Sequence, residues 1–328
     1  MPAQPRDLPI YEVEKAVLRA LGAPERARVL LSAPTGSGKS TQVPQMILDG
    51  LLAGGAGGDV VVLQPRRIAA RMLASRVASE RGGNPGGEVG YQVRFDSRCG
   101  RETRIRYVTE GILMRRLLDD PELRGTAVVI FDEFHERHLY GDITLARVLA
   151  LQEKERPELK IVVMSATLEL DLVEAYLDSC VRVSSEGRTF PVDVVYRPEK
   201  QRSKASTIWE RAARACAGAA AQVDGDILVF MPGAYEIRRT IEALERGGTF
   251  RGWKILPLYG DLAPGAQDDA VRRYRQQKII VATNVAETSL TIEGVRIVVD
   301  SGLARVARYD PRRGIDTLSI ETISQAAA

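Results

Sequence analysis

Short runs of β-branched and aliphatic residues recur along the chain, and each is followed by a glycine, proline or serine break and then by a stretch with helical character. In the first half these runs occupy residues 28–31, 59–63, 105–108, 127–131 and 160–164. Strands that are apolar on both faces and alternate with helices are typical of a parallel sheet covered on both sides. The pattern therefore predicts a doubly wound α/β domain.

A polar stretch over residues 186–204, interrupted by Gly187, Pro191 and Pro198, predicts a linker. The strand pattern resumes after it, at residues 226–231, 254–258, 278–282 and 296–299. A chain of 328 residues also exceeds the usual size of one hydrophobic core. We therefore expect two α/β domains, residues 1–190 and residues 191–328.

Composition excludes few partners but indicates a compartment. The 46 Lys and Arg residues nearly balance the 43 Asp and Glu residues, so the net charge of +3 does not by itself indicate a nucleic-acid partner. No apolar run approaches the roughly 20 residues that span a bilayer, and the first nine residues lack a secretory signal. Cys99, Cys180 and Cys216 are distant in sequence and odd in number, which is typical of buried or incidental thiols in a reducing compartment. We expect a cytoplasmic protein.

The segment APTGSGKST at residues 33–41 follows a predicted strand and opens a helix. It matches the Walker A pattern except at its first position, which is Ala33. Such glycines let backbone N–H groups face phosphates, while Lys39 can reach the β and γ phosphates and Ser40 can ligate Mg²⁺. An incidental glycine-rich turn is the alternative interpretation. The pattern predicts a nucleotide site that comprises Thr35, Gly36, Ser37, Gly38, Lys39, Ser40 and Thr41.

Asp132 and Glu133 end the very apolar strand at residues 127–131, where a parallel sheet presents its ligands. This is the geometry of a Walker B motif. Asp132 is expected to hold Mg²⁺, in part through water, and Glu133 to orient and deprotonate the attacking water. Without the phosphate loop, an acidic helix cap would explain the same pair. The only histidines, His135 and His138, offer too few ligands for zinc, and His138 is interpreted as solvated.

These motifs resemble those of a known family. DEFHER at residues 132–137, with Ser165-Ala166-Thr167 at the end of the next predicted strand, resembles motifs II and III of superfamily 2 helicases of the DEAH-box class. Together with APTGSGKST and QPRRIAA, they most resemble the bacterial HrpB-type RNA helicases, from about Leu8 onwards. The resemblance implies two RecA-like domains, in which His135, Ser165 and Thr167 connect nucleotide state to domain movement. Alone, the Ser165 segment would also fit a strand end that caps a helix.

Several residues resemble the family's nucleic-acid contacts. Arg66 and Arg67 lie where motif Ia grips the sugar-phosphate backbone, Thr109 lies in a segment that resembles motif Ib, and Arg94 resembles the RNA-contacting hook turn. Basic and hydroxyl groups suit this role because phosphate contacts supply affinity without reading sequence. A solvated basic face is the alternative for Arg66 and Arg67.

Two positions concern the base of the nucleotide. The resemblance implies that Arg76 stacks on this base, although an exposed helical arginine is the alternative. Many relatives close the opposite side with phenylalanine, whereas this chain has Leu303. We therefore expect a weaker stacking wall and lax base selectivity.

In the second half, residues 227–233 resemble motif IV and residues 282–292 resemble motif V. The resemblance gives RNA backbone contact to Thr283 and Asn284, and nucleotide sensing to Ser289; a merely polar loop is the alternative. Residues 305–318 alternate around the turn DPRRG, which predicts a β-hairpin. In the family this hairpin separates or ratchets the strand, although an ordinary basic hairpin would show the same pattern.

The chain stops before the QRxGRxGR segment that would be motif VI. We expect a fragment of a longer helicase, without its C-terminal helicase domains. The leading hypothesis is an ATP-dependent RNA helicase or ribonucleoprotein remodeller that uses ATP or another NTP with Mg²⁺ and closes its two domains on single-stranded RNA, or alternatively DNA. The second is a nucleotide- and RNA-binding fragment with little hydrolysis or unwinding by itself. The third is a nucleotide-dependent switch without nucleic acid.

Overall fold

The computed structural model describes residues 7–53, 57–166, 171–187, 191–196, 206–287 and 292–324. The chain divides into two compact units, residues 1–191 and residues 192–328, which we call unit 1 and unit 2. Of the predicted site residues, Thr167 and Ser289 lie outside the described residues. Among the described helices, none combines the length and the apolar character needed to cross a membrane.

Unit 1 contains an eight-stranded sheet within its described residues. Its strands in chain order are β1 (Arg28–Ser32), β2 (Asp59–Gln64), β3 (Val89–Val93), β4 (Asp96–Arg98), β5 (Ile105–Thr109), β6 (Thr126–Phe131), β7 (Lys160–Ser165) and β8 (Val181–Ser184). Across the sheet they follow the order β4-β3-β5-β2-β6-β7-β1-β8. All neighbours pair in parallel except β3 and β4, which form an antiparallel edge. The five predicted strands of the first half are confirmed, and β3, β4 and β8 were not predicted.

Helices cover both faces of this sheet. They are α1 (Glu14–Leu21), α2 (Lys39–Gly50), α3 (Arg67–Glu80), α4 (Glu110–Asp119), α5 (Leu139–Lys154) and α6 (Asp171–Leu177). Alternate residues of β2 enter two separate apolar clusters: Val60 and Val62 pack with residues of α2 and α3, whereas Val61 and Leu63 pack with residues of α4 and α5. A strand that is apolar on both faces is thus buried on both faces, as the residue pattern predicts.

Unit 2 has a smaller parallel sheet and a separate hairpin. Its sheet contains β9 (Asp226–Phe230), β10 (Lys254–Leu258), β11 (Lys278–Ala282) and β12 (Val295–Asp300), in the order β10-β11-β9-β12. Its helices are α7 (Ile208–Ala220), α8 (Ala234–Arg246) and α9 (Pro264–Val271). The antiparallel strands β13 (Leu303–Asp310) and β14 (Ile315–Thr322) confirm the predicted hairpin around its DPRRG turn. The predicted α/β class is confirmed in both units.

Candidate functional site

Five adjacent strands of unit 1 end at one edge of the sheet. In spatial order these are β5, β2, β6, β7 and β1, and all five run in parallel. The residues at or just beyond their carboxyl ends are Thr109, Gln64, Asp132, Ser165 and Ala33. The motifs that the sequence spreads over more than 130 positions therefore meet along this edge, which is where open α/β sheets bind ligands.

The loop between β1 and α2 has the backbone of a phosphate cradle. Gly36 and Gly38 adopt positive φ angles of 78° and 94°. A Cβ atom on Gly38 would lie 2.9 Å from Cδ1 of Leu8, so this glycine also permits a close approach by the preceding segment. Ser37 is buried, and its Oγ has no hydrogen-bond partner within the described residues. A buried hydroxyl without a partner and N–H groups at a helix start fit phosphate oxygens.

Lys39, the first residue of α2, forms an ion pair with Glu133. Its Nζ lies 3.1 Å from Oε1 of Glu133, and both side chains are at least 95% buried. Burial raises the pKa of the Glu133 carboxyl to about 7, with the Asp132 carboxylate adding to the rise and Lys39 opposing it. A carboxyl of this kind can exchange a proton near neutral pH.

Glu133 also has an unusual backbone. Its φ is 51°, in the left-handed region, and so is that of Arg137 at 47°. These two residues flank a short 3₁₀ helix, Phe134–Glu136. Non-glycine residues adopt this conformation at some energetic cost. Such strained backbone conformations are often found at functional sites.

The Asp132 carboxylate is held by two donors. Its Oδ1 accepts a hydrogen bond of 2.9 Å from the backbone N–H of Glu133, and its Oδ2 accepts one from Nε2 of Gln64. The backbone N–H of Asp132 donates to the carbonyl of Leu63 on the neighbouring strand. Gln64 was not among the predicted site residues.

His135 joins the acidic segment to the end of β7. Its Nδ1 accepts a hydrogen bond of 3.3 Å from the backbone N–H of Ala166 and lies 3.5 Å from Oε2 of Glu133. Burial, and secondarily Lys39, lowers the pKa of His135, which favours the neutral ring that this hydrogen bond requires. Ser165 is fully buried, and its carbonyl accepts from the backbone N–H of Ala33. The predicted coupling residues His135 and Ser165 thus touch the segments of all three motifs.

Ser40 is supported by a residue that the sequence did not indicate. Pro44, inside α2, has no N–H and so cannot bond the carbonyl of Ser40 four residues earlier. The hydroxyl of Tyr107 on β5 donates to that carbonyl instead, at 2.8 Å. Tyr107 is fully buried, and burial raises the pKa of its hydroxyl well above the ordinary value. Thr41 is tied to the loop by a hydrogen bond from its hydroxyl to the carbonyl of Gly38.

The predicted nucleic-acid contacts of unit 1 share the same sheet edge. Arg94, Thr109 and Arg66 follow or end β3, β5 and β2, which are adjacent and parallel. Arg94 is exposed and lies 4.7 Å from the ring of Phe95, which is 90% exposed. Arg67 is exposed at the start of α3. These residues lie on one side of β6, and the phosphate loop lies on its other side.

Glu136 contacts both Arg66 and His138. Its Oε2 lies 3.3 Å from the guanidinium of Arg66 and 3.3 Å from Nε2 of His138. The side chain of His138 is about half exposed, at 47%. Among the described residues, no group of three or more His, Cys, Asp or Glu side chains is arranged to hold a metal ion.

Arg76 lies on α3, where its Nε donates to Oε1 of Glu80 at 2.6 Å. Glu80 also accepts hydrogen bonds from Gln42 and Gln45 of α2, at 2.9 and 3.0 Å. The arginine is therefore linked to the helix that starts at the phosphate loop. Neither Gln42 nor Glu80 was predicted from the sequence, since neither belongs to a recognisable motif.

In unit 2, Thr283 and Asn284 follow the carboxyl end of β11. The backbone N–H of Thr283 donates to the carbonyl of Leu258 on β10, and Asn284 opens a 3₁₀ helix, Asn284–Ala286. Leu303 is partly buried at the start of β13.

The chain is similar to known helicases over both units. Residues 12–175 match the family model of the DEAD/DEAH box helicase, and residues 210–318 match that of the helicase conserved C-terminal domain. The ATP-dependent RNA helicase HrpB of Escherichia coli (strain K12) is 44% identical over 98% of this chain and 39% of that protein. The probable ATP-dependent RNA helicase DHX35 of Homo sapiens is 37% identical over 99% of this chain and 48% of that protein.

A solved structure agrees with these matches. The crystal structure of the E. coli DEAH/RHA helicase HrpB superposes with a TM-score of 0.87 at 42% identity, over 98% of this chain and 40% of that one. The chain thus spans less than half the length of each of these relatives. The predicted resemblance and the predicted class of two RecA-like α/β domains are confirmed. The chain belongs to the DEAD/DEAH box helicase family.

Proposed function

We propose that the protein hydrolyses ATP, or another NTP, with Mg²⁺ and couples hydrolysis to movement on single-stranded RNA. The observation that carries this proposal is the buried contact between Lys39 and Glu133, 3.1 Å apart. In this contact a lysine ammonium, which suits phosphate binding, lies beside a carboxyl able to accept a proton. Family membership and the helicase names of the relatives support the same activity.

Nucleotide binding is assigned to the loop and the start of α2. The backbone N–H groups of residues 35–41 surround the phosphates, and Lys39 neutralises their charge. Ser37 offers its buried, unpartnered hydroxyl to a phosphate oxygen. Ser40 and Asp132 would hold Mg²⁺, the latter partly through water, and the bound cation would supply positive charge to neutralise the phosphoryl oxygens.

Glu133 is the proposed general base. Its Oε2 has no hydrogen-bond partner within the described residues, so it can accept a hydrogen bond from the attacking water. The carboxylate orients this water and takes up its proton as the oxygen attacks. Phosphate oxygens compete with Glu133 for the ammonium of Lys39, which releases the carboxylate for this role.

Coupling is assigned to His135 and Ser165. A shift of Glu133 reaches His135 at 3.5 Å, then Ala166, and through the carbonyl of Ser165 returns to Ala33 at the phosphate loop. Thr167, and Ser289 as a nucleotide sensor, keep the roles that the family resemblance implies.

RNA contacts are assigned to both units. Arg66, Arg67, Arg94 and Thr109 in unit 1 bind the backbone of the strand, and so do Thr283 and Asn284 in unit 2. Arg76 and Leu303 keep the roles at the base of the nucleotide that the family resemblance implies. The domain bounds at residues 190 and 191 and the cytoplasmic location remain predictions.

The test measures binding of a fluorescent ADP analogue, and hydrolysis with and without single-stranded RNA. Lys39→Ala should lose nucleotide binding. Glu133→Gln should still bind nucleotide but hydrolyse at least about 100-fold more slowly, since general-base catalysis is lost. Hydrolysis at the wild-type rate in Glu133→Gln would refute the assigned mechanism. If RNA binds but does not accelerate hydrolysis, the binding-only function is favoured instead.

A further inference from the structure

Gln64 is a polar residue that directly follows four buried aliphatic residues of β2. It closes β2 after Val60, Val61, Val62 and Leu63, and it is completely buried. An apolar side chain of similar size could fill this space without leaving any polar atom to satisfy. The presence of an amide here therefore calls for a polar role at the sheet edge.

The two polar atoms of the Gln64 side chain have different surroundings. Nε2 donates a hydrogen bond to Oδ2 of Asp132, whereas Oε1 has no partner within the described residues. The orientation of the amide is determined by chemistry, because only the NH₂ group can face a carboxylate oxygen. The acceptor Oε1 is thus left unused beside Asp132. Buried acceptors without a partner are rare, and each calls for an explanation, such as a catalytic role or a bound water or ion.

The contact also determines how the Asp132 carboxylate is oriented. Oδ1 is held by the backbone N–H of Glu133 and Oδ2 by Gln64, so the carboxylate plane has a donor on each oxygen. Each oxygen keeps a further lone pair for a metal-bound water. Without Gln64, one oxygen would lose its donor and the carboxylate could rotate about its last bond.

We propose that Gln64 is a positioning residue for the divalent cation: its NH₂ group orients Asp132, and its Oε1 accepts a hydrogen bond from a water bound to the cation. This rests on the Mg-nucleotide site proposed above. Residues that hydrogen-bond to metal ligands control metal affinity without touching the metal. Gln64 is followed in the chain by Pro65 and Arg66. It therefore connects the proposed cation site to the first predicted RNA contact.

The experiment measures affinity for a fluorescent ADP analogue over a series of free Mg²⁺ concentrations and in EDTA. Gln64→Leu removes both polar atoms at similar volume, and Gln64→Met is a second, more flexible replacement in case the first does not fold. The matched control is Gln152→Leu. Gln152 is equally buried in unit 1, but it bonds Arg28 and the carbonyl of Leu159.

We expect the Gln64 variants to keep the metal-free nucleotide affinity within about twofold while the Mg²⁺ midpoint rises by about tenfold or more. Gln152→Leu should leave the Mg²⁺ midpoint unchanged. An unchanged midpoint in the Gln64 variants, or an equal loss of affinity with and without Mg²⁺, would overturn the proposal. If the wild-type protein bound no nucleotide at any Mg²⁺ concentration, the proposed function itself would fail, which is a different result.

Discussion

The ammonium of Lys39 lies 3.1 Å from a carboxylate oxygen of Glu133, and neither side chain is more than 4% exposed. Removing two charges from water is costly, and the cost is offset only when the ions remain paired. The pair joins the first residue of α2 to the residue after Asp132. Any ligand that binds Lys39 must therefore also change the surroundings of Glu133, which would link phosphate binding to the proposed general base in a single contact.

The pH dependence of hydrolysis should report Glu133. Only its deprotonated form can accept a proton, and the pKa of this group is raised to about 7. We therefore expect kcat/KM to fall as the pH decreases from about 8 to about 6, with a midpoint near 7. An unperturbed glutamate would place the midpoint near pH 4.3.

His135 is the control for this profile, because an imidazole ordinarily ionises near pH 6.5, although burial lowers the pKa of this one. The His135→Asn variant should keep the midpoint near pH 7, although its rate is lower. The residual rate of Glu133→Gln should show no midpoint near pH 7. If the midpoint near pH 7 disappears in His135→Asn, the ionising group is His135 rather than Glu133.

Substitution of the loop glycines should have graded effects. Alanine at Gly36 meets no atom within 4 Å but must adopt a φ of 78°, which costs about 1 kcal/mol. Alanine at Gly38 has a φ of 94° and also contacts Leu8, so we expect about 2 kcal/mol. Urea unfolding measures both values. Gly111→Ala, in the first turn of α4 with no nearby atom, should stabilise by about 0.5 kcal/mol. Equal values for Gly36→Ala and Gly38→Ala would contradict the contact with Leu8.

Tyr107→Phe should destabilise unit 1 by about 1 to 3 kcal/mol, because the carbonyl of Ser40 then loses the side-chain donor that it has among the described residues. Nucleotide affinity should also fall, since Ser40 belongs to the phosphate loop. Pro44→Ala restores an N–H that can bond the same carbonyl. In that background the cost of Tyr107→Phe should fall below about 1 kcal/mol. A double-mutant cycle, with urea unfolding of the single and double variants, measures this coupling. If the two changes in the free energy of unfolding simply add, Tyr107 and Pro44 act independently, and the prediction is wrong.

Arg66→Ala should weaken binding to labelled single-stranded RNA and reduce the slope of log affinity against log salt concentration by about one. Glu136→Gln removes the carboxylate that lies 3.3 Å from this guanidinium and repels RNA phosphates. It should raise RNA affinity about threefold, as expected for a partly exposed pair. The control is Arg124→Ala, at the opposite edge before β6, where the arginine is exposed and pairs with Glu122. An equal effect of Arg124→Ala would indicate a general charge effect.

The sequence predicted the parallel strands because their signal is local. Each of β2, β6 and β7 contains at least four consecutive buried residues. The strands β4 and β8 have mostly polar or exposed residues and lie at the sheet edges. β3 contains Gly90, whose backbone packs so tightly against the carbonyl of Arg98 that no side chain fits. An edge strand forms because it pairs with the neighbouring strand, and the periodicity of its own residues does not reveal this pairing.

The residues that meet at the candidate site were predictable where they lie in one continuous motif. The loop at residues 33–41 and the pair Asp132 and Glu133 meet through the order of the strands. Gln64 and Tyr107 were missed because their partners are 68 and 67 positions away. Nothing near either residue in the sequence indicates which distant polar group it satisfies.

The order of the strands also sets a length scale. The positions of Thr109, Gln64, Asp132, Ser165 and Ala33 are separated by four strand spacings, which is about 19 Å. Within this distance β6 is the shared border: one step to β2 leads to the proposed RNA contacts, and two steps to β1 lead to the predicted phosphate loop. A displacement of β6 would therefore reach both the proposed RNA contacts and the phosphate loop through neighbouring hydrogen-bonded strands.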